Sequence, residues 1–573
     1  MVIDKTERRT AMKKLYLETK AFFGNKSFLL LTLAFFAAIF GSLLKTTYKM
    51  LQLQFEENAD IFMIIFSDSQ KISYYLFVFF IFISYELFHL SHKSNLNETL
   101  KTTKKGIRNT YFYQCLIIFI ITSFITISIF ALNLYSASHF EILTTELIIH
   151  LVLNCLLNIT LVVTLASSFG FLLSLFSKKV FAYISIVFIA FFSSEIFKDI
   201  VSTLREGFGL DLYHLTDLFV IFPPNMNSMP IYAFGLSVLP YRWNAVLFWL
   251  FMCLGFISLK LIRNRKNNIS KTVSTILLFT FAVVNLCFYY TPQSKVIRDN
   301  SPYQTNFADF IYYSATYTGD EINQKADFNI TGYEMDLKIR NTLSADVTVT
   351  IDKSDNEKYI FTLYHGYEVK SVTDENGNSM AFTRDNDVLT VESDSHTNSM
   401  RITYSGYSPR YYSNLQGICL PAGFVFYPVE GSVVLYDTEN QDFIPYISEN
   451  IINFDVNIDY YKNCFSNLKG TDTNSFEGTS NSLSIVSGLY KEIIVKDTRF
   501  IYPYLSGSNN EKNFRELIID EINPKKYNIN GKSVIITPNL NQSNICVFAE
   551  DHIVAHKTPW GLAEEANGNA KEE

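Results

Sequence analysis

The sequence predicts an α-helical polytopic membrane domain of about seven spans, followed by an all-β, sandwich-like extracytoplasmic domain. Three observations carry this reading. Seven apolar stretches before residue 291 are each long enough to cross a bilayer core at about 1.5 Å per residue. From Tyr333 onward apolar and polar residues alternate with a period of two, the spacing of a strand. The charge divides at the same place: residues 1–291 hold 25 Lys and Arg against 16 Asp and Glu, and residues 292–573 hold 23 against 39. A basic apolar half joined to an acidic half makes the lipid bilayer a partner and leaves no basic groove for nucleic acid.

Taken in order, residues 1–26 place Met12, Leu15, Tyr16, Phe22 and Phe23 at helical spacing among lysines, which predicts a cytoplasmic interfacial helix. The alternative is that this stretch simply leads into the first span. No small-residue cleavage site follows the first apolar run, so a cleavable signal peptide is not expected. Spans are expected at about 27–44, 74–90, 112–134, 147–176, 180–197 and 245–262. A seventh, 271–291, centres on the uncharged run Val273–Tyr290 and ends at Pro292. With the N-terminus inside, the inner segments hold 19 of the 25 basic residues of this half, and the outer ones hold Lys45, Lys49, Lys71, Lys198, Arg205 and Arg242. The expected location is therefore the plasma membrane, with a cytoplasmic N-terminus and an extracellular C-terminal domain. Of the seven cysteines, four sit in apolar spans and the other three show no CxxC spacing, so neither a zinc site nor a disulfide framework is expected.

Polar residues inside spans narrow the search for a site. His150, Asn154 and Asn158 recur every four residues and so share one helical face. That face is either a substrate path or a set of interhelical hydrogen bonds that hold the bundle together. Glu86, His89 and His92 also share helical spacing, as a metal site that would need further ligands, a titrating group beside the following loop, or a plain interfacial cluster. Between the second and third spans lies the short basic loop 92–110, with Lys101, Lys104, Lys105 and Arg108. Between the fifth and sixth, residues 199–243 are long and semi-polar around Pro223-Pro224, which suggests a partly inserted hairpin that does not cross.

This layout resembles the permease subunits of ABC-2-type transporters over residues 1–265, as a six-span permease domain at 27–265. The resemblance implies an ABC ATPase subunit as partner, docked on Lys101, Lys104, Lys105 and Arg108 as the coupling loop. It also implies a homodimer, or a heterodimer with a second permease. The seventh span departs from the family pattern and would carry something outside.

After a linker at 292–324, the strand-patterned stretches YEMDLKI, FTLYHGYEVKSVTDENGNSMAF, RITYSGY and GICLPAGFVFYPVEG resemble the N-terminal β-domain of M1-family aminopeptidases, over 325–505. Residues 506–560 fit a remnant of the catalytic-domain start, and 561–573 a polar, disordered tail. The departure from the family is chemical. M1 enzymes hold zinc with an HExxH helix and a further glutamate, and the motif's glutamate is the base. Here His552 and His556 have the spacing, but Ile553 stands where the glutamate should be. No catalytic or metal-binding residues are expected, and the chain is not expected to be an enzyme. A phosphate-cradling Walker A loop is also absent from the sequence, so no cofactor is expected in this chain and ATP would be bound by the partner subunit. The function expected is thus the membrane (permease) subunit of an ABC exporter with a non-catalytic peptidase-like outer domain. The alternatives are a membrane-anchored M1-like peptidase and a peptide-binding sensor protein.

Overall fold

The computed structural model describes residues 16, 19–20, 24, 26–52, 68–93, 106–139, 142–176, 178–208, 216, 218–222, 231–263, 269–299, 308–316, 323–352, 357–393, 397–495, 498–505, 531–538 and 546–555. Most of the interfacial-helix stretch, Lys101, Lys104, Lys105, His556 and the tail lie outside the described residues. By compactness the chain forms two units. The first comprises residues 1–54, 63–225 and 236–294; the second comprises 55–62, 226–235 and 295–573.

The first unit is helical because its apolar runs are long, sparsely charged and free of internal proline. Five helical stretches are long and apolar enough to cross a membrane: Ile72–Leu90, Asn109–His139, Thr145–Phe176, Pro240–Ile262 and Ile269–Tyr289. Two of the seven expected spans differ. In helix Lys26–Gln52 the apolar run, Leu29–Lys45, is shorter than a span. The stretch expected at 180–197 breaks after Phe192 and bends by 67° into a second helix that begins at Glu195. The physical reason lies in Ser193 and Ser194, because the Ser194 hydroxyl takes the Phe191 carbonyl at 2.7 Å and so competes with the helical ladder. Beyond the break Glu195, Lys198, Asp199, Arg205 and Glu206 make the continuation polar. Counting that bent pair as one gives at most six spans among the described residues.

Close packing in this unit depends on Gly170. A Cβ there would lie 2.4 Å from the Ile81 carbonyl oxygen and 2.7 Å from Ser84 Cβ, so only glycine lets helix Thr145–Phe176 approach helix Asp68–Lys93 this closely. Phe88 and Phe171 stack at 4.0 Å beside that contact.

In the second unit the expected alternation becomes a sheet. Strand Ile330–Ile339 turns Tyr333, Met335, Leu337 and Ile339 inward, each less than 5% exposed, and its charged residues outward. It pairs antiparallel with Leu343–Ile351 and parallel with Ile452–Asp459. The seven-stranded sheet runs Lys469–Asp472, Ser475–Ser480, Ile452–Asp459, Ile330–Ile339, Leu343–Ile351, Ser399–Gly406, Tyr367–Asp374. A four-stranded sheet built on Lys358–Thr362 and Val388–Glu392 supplies Tyr359, Phe361, Leu389 and Val391 to the same core. Each aliphatic side chain fully buried there contributes about 1.5–3 kcal/mol relative to exposure. The DENG segment at Asp374–Gly377 turns the chain, with the Asp374 carboxylate accepting the N–H groups of Asn376 at 2.9 Å and Asn378 at 2.8 Å.

The expected boundary at 505 moves. Tyr490–Val495 and Thr498–Pro503 belong to a separate five-stranded sheet with Ser533–Ile536, His552–Ala555 and Cys546–Phe548. Two of its pairings are parallel, so the second unit is not purely an antiparallel sandwich. The second difference is residues 226–235, expected with the helices, which form part of the second unit.

Helix Ala308–Thr316 docks on the sandwich through fully buried Tyr313, stacked on Tyr436 at 4.6 Å, and through buried Asp309. Asp309 accepts the Tyr364 hydroxyl and lies 3.8 Å from His365 Nε2, while His365 Nδ1 lies 3.4 Å from Asp387. Burial pushes the Asp309 carboxyl above its ordinary range; Tyr364, His365 and Arg410 pull it down, and Asp387 adds to the rise. A carboxyl raised in the folded state contributes stability that is fully present below the unfolded value, near 4, and is lost as pH rises through the folded value. Asp309 is therefore expected to cost the second unit stability as pH rises above the ordinary carboxyl range, from about pH 4 upward, and Asp309→Asn to flatten that slope. Thermal unfolding of the full chain across that range checks this; equal slopes for both proteins would contradict it.

Candidate functional site

The site grows from helix Thr145–Phe176. Thr144 caps it, its hydroxyl accepting the Leu147 N–H at 3.1 Å, and Glu146 sits in the first turn against the positive helix end. The helix then widens into a π turn at Cys155–Leu161. Such turns insert a residue into the ladder, re-aim the side chains around them, and occur frequently at functional sites. Asn158 lies within it and Asn154 just before it.

Asn158 is a hub. Its Nδ2 donates to Asn154 Oδ1 at 2.5 Å, its Oδ1 accepts Arg242 Nη2 at 3.0 Å, and its backbone oxygen accepts the Ser73 hydroxyl. Arg242 stands near the start of helix Pro240–Arg263 and is 6% exposed. Its planar fork also reaches the Ser237 carbonyl at 2.6 Å and the Ile221 carbonyl at 2.9 Å. One side chain thus joins three separate stretches of the helical unit. The geometry suits arginine, whose five donors diverge in fixed directions, and does not suit lysine. Ile221 also lines an apolar cavity of about 150 Å³, with Phe169, Phe192, Phe219 and Trp249 around it. Polar donors and an apolar hollow therefore adjoin within one unit.

Of the residues singled out in the sequence, Asn154 and Asn158 are brought into direct contact, and His150 is buried on the same helix. Arg108 lies in helix Gly106–His139. Glu86 accepts the Tyr183 hydroxyl at 2.5 Å and lies 3.6 Å from Lys179, while His89 stacks on Tyr85 at 5.2 Å. Glu86 and His89 thus have separate partners. Sequence reasoning missed Arg242, which counted only as one basic residue outside. The available signal was its place at the head of an apolar helix, where an arginine needs acceptors.

The second unit holds one constellation with the look of chemistry. His552 Nδ1 lies 2.8 Å from Asp551 Oδ1, and its Nε2 lies 2.8 Å from Ser484 Oγ. Ser484 Oγ also accepts the Ala422 N–H at 2.8 Å. Asp551 further accepts Asn467 Nδ2 at 2.9 Å and Ser480 Oγ at 2.5 Å. Burial pushes the Asp551 carboxyl up, but His552, Ser480 and Asn467 outweigh it and hold it below the ordinary range. This is the connectivity of a nucleophilic triad, yet Ser484 and His552 are both fully buried, so no substrate carbonyl can reach the hydroxyl. The relay ties strand His552–Ala555 to strand Ile485–Ser487 through neighbouring Ser484. His552 opens a strand and not the helix that an HExxH zinc site is built on. Among the described residues no group of three or more His, Cys, Asp or Glu could hold a metal ion.

No family model matches the chain, and no curated protein sequence matches it. Solved structures similar to the chain are M1 metallopeptidase-like, with the likeness at the C-terminal part. The M1 zinc metallopeptidase of Deinococcus radiodurans is 14% identical, covering 43% of this chain and 65% of its own, with a TM-score of 0.29. A variant of that enzyme bound to a Tyr-Ser-Ala substrate is 14% identical, covering 41% and 61%, with a TM-score of 0.27. Leukotriene A4 hydrolase of Saccharomyces cerevisiae is 11% identical, covering 43% of this chain and 44% of its own, with a TM-score of 0.28. The chain thus spans less than two thirds of the length of each of these proteins.

Two outcomes follow from the geometry. Arg242→Met strands three buried oxygens, at about 1–3 kcal/mol for each group left unsatisfied, so a lower melting temperature in detergent is expected, with Arg242→Lys only partly restoring it. Equal melting of Arg242→Met and the parent protein would refute the hub. His552→Ala should destabilise the second unit by about 1–3 kcal/mol, because Ser484 and Asp551 both lose their buried partner. Denaturant unfolding of the full chain measures this, and an unchanged midpoint would refute it.

Proposed function

We propose that the chain is the membrane subunit of an ABC-2-type exporter, driven by a separate ATPase subunit and carrying a non-catalytic, M1-peptidase-like domain outside the cell. The observation that carries the reading is the Arg242–Asn158 cluster. A set of helices serving only as an anchor needs apolar faces and nothing else. A guanidinium buried among apolar helices, held to a π turn, is a costly feature that marks a substrate path or a moving part.

Further support comes from the arrangement around it. The basic residues Lys101, Lys104 and Lys105 fall in sequence between helices Asp68–Lys93 and Gly106–His139, and Arg108 lies in the first turn of the second, where a partner ATPase would grip the helical unit. The bend after Phe192 suits a segment that enters the membrane without continuing straight across it. In this reading two permease units form a dimer, ATP-driven closure of the ATPases rocks their helices, and substrate passes along the face of His150, Asn154 and Asn158. The basic-residue bias supports a cytoplasmic N-terminus. A peptidase reading is disfavoured by Ile553, which cannot take a proton from a zinc-bound water.

Purification of the full chain in mild detergent from its native cells is expected to bring an ATPase with it. Changing Lys101, Lys104, Lys105 and Arg108 together to glutamate should abolish that recovery while the protein still inserts. Undiminished recovery from the quadruple variant would overturn the coupling role and reduce the loop to a topology signal.

A further inference from the structure

The second unit is completed by a piece of chain that comes from between two helices of the first. Helix Ile231–Phe234 and Gly235 belong to it, and their flanks continue into the helical unit at Asn225 and Leu236. Phe234 is 1% exposed. Its ring meets Tyr412 edge-on at 4.7 Å and lies 6.3 Å from Tyr490, in a cluster with Cys419, Val486, Ile501 and Ile535. That cluster lies where the sandwich meets the five-stranded sheet. The main chain is read as well as the side chain. Leu489 N–H donates to the Ala233 carbonyl at 2.7 Å, and Gln416 Nε2 donates to the Phe234 carbonyl at 2.8 Å.

Two glycines shape the pocket to this ring. A Cβ at Gly417 would lie 2.1 Å from Phe234 Cδ1. At Gly488, with φ +145°, it would lie 2.5 Å from the Ala233 oxygen and 3.0 Å from Phe234 Cδ1. Main-chain hydrogen bonds for affinity and one fitted pocket for specificity are how peptide segments are recognised in general.

We propose that this socket is a peptide-binding site of the β unit, selective for a small residue followed by phenylalanine, and that residues 231–235 are its intramolecular ligand. The ligand class is a short apolar, aromatic peptide segment. The strap is a self-ligand that keeps the site closed, and a pull on either flank withdraws Phe234 and opens it. This goes beyond the transport reading and does not depend on it.

The test uses the full chain in detergent and a fluorescent peptide of residues 230–236, PIYAFGL. Wild type, with its socket filled, is expected not to bind it. Phe234→Ala is expected to bind saturably, and adding Gly488→Ala or replacing the peptide's Phe with Ala should abolish binding. A folded Phe234→Ala protein that binds no more peptide than wild type overturns the proposal, as does equal binding of the Ala-substituted peptide. Should Phe234→Ala fail to fold, Gly488→Ala in the otherwise wild-type chain carries the test through chymotrypsin cleavage after Phe234 under native conditions. Expulsion of the strap should speed that cleavage by at least about tenfold, and unchanged cleavage overturns the proposal.

Discussion

Burying an arginine among apolar helices costs several kcal/mol unless its N–H groups find oxygens, and Arg242 meets that requirement by reaching across the helical unit. Its acceptors are Asn158 Oδ1, the Ile221 carbonyl and the Ser237 carbonyl, which lie far apart in sequence. The demand of one cation therefore fixes how the π turn, the stretch around Ile221 and the head of helix Pro240–Arg263 are placed together. Ser73 adds a fourth element by donating to the Asn158 backbone. Apolar packing alone would leave such helices free to slide, because lipid solvates an aliphatic face as well as a neighbouring helix does.

The same requirement organises the β unit by other means. Ser484, His552 and Asp551 form a hydrogen-bonded relay that joins the last strands to the sandwich edge. Asp309 holds a helix to the sandwich through Tyr364 and His365 at the cost of keeping a carboxyl out of water. A catalytic constellation and a structural relay can share their connectivity, and exposure separates them. The fully buried Ser484 hydroxyl can stabilise a fold but cannot attack a substrate.

The socket around Phe234 adds a third kind of constraint, in shape. Gly417 and Gly488 remove side-chain volume where one aromatic ring must enter, and Gln416 and the Leu489 N–H read the carbonyls beside it. A segment expected to lie with the helices is in this way an integral part of the β unit.

The sequence by itself determined what depends on local periodicity and composition. Long apolar runs make the helices, a period of two makes strand Ile330–Ile339 with Met335, Leu337 and Ile339 inside, and spacing by four puts Asn154 and Asn158 in reach of each other. These follow from the geometry of one element and need no partner. Tertiary structure decided what depends on pairing between distant residues. Nothing local to Arg242 names Asn158 or Ile221 as its acceptors, and nothing local to the two serines after Phe192 says how far the helix bends. The pairing of Tyr490–Val495 and Thr498–Pro503 with residues 533–555, and of Phe234 with Gly417 and Gly488, likewise joins residues far apart in the chain. Such contacts are selected by shape and by the cost of an unmet hydrogen bond, and both exist only once the chain has folded.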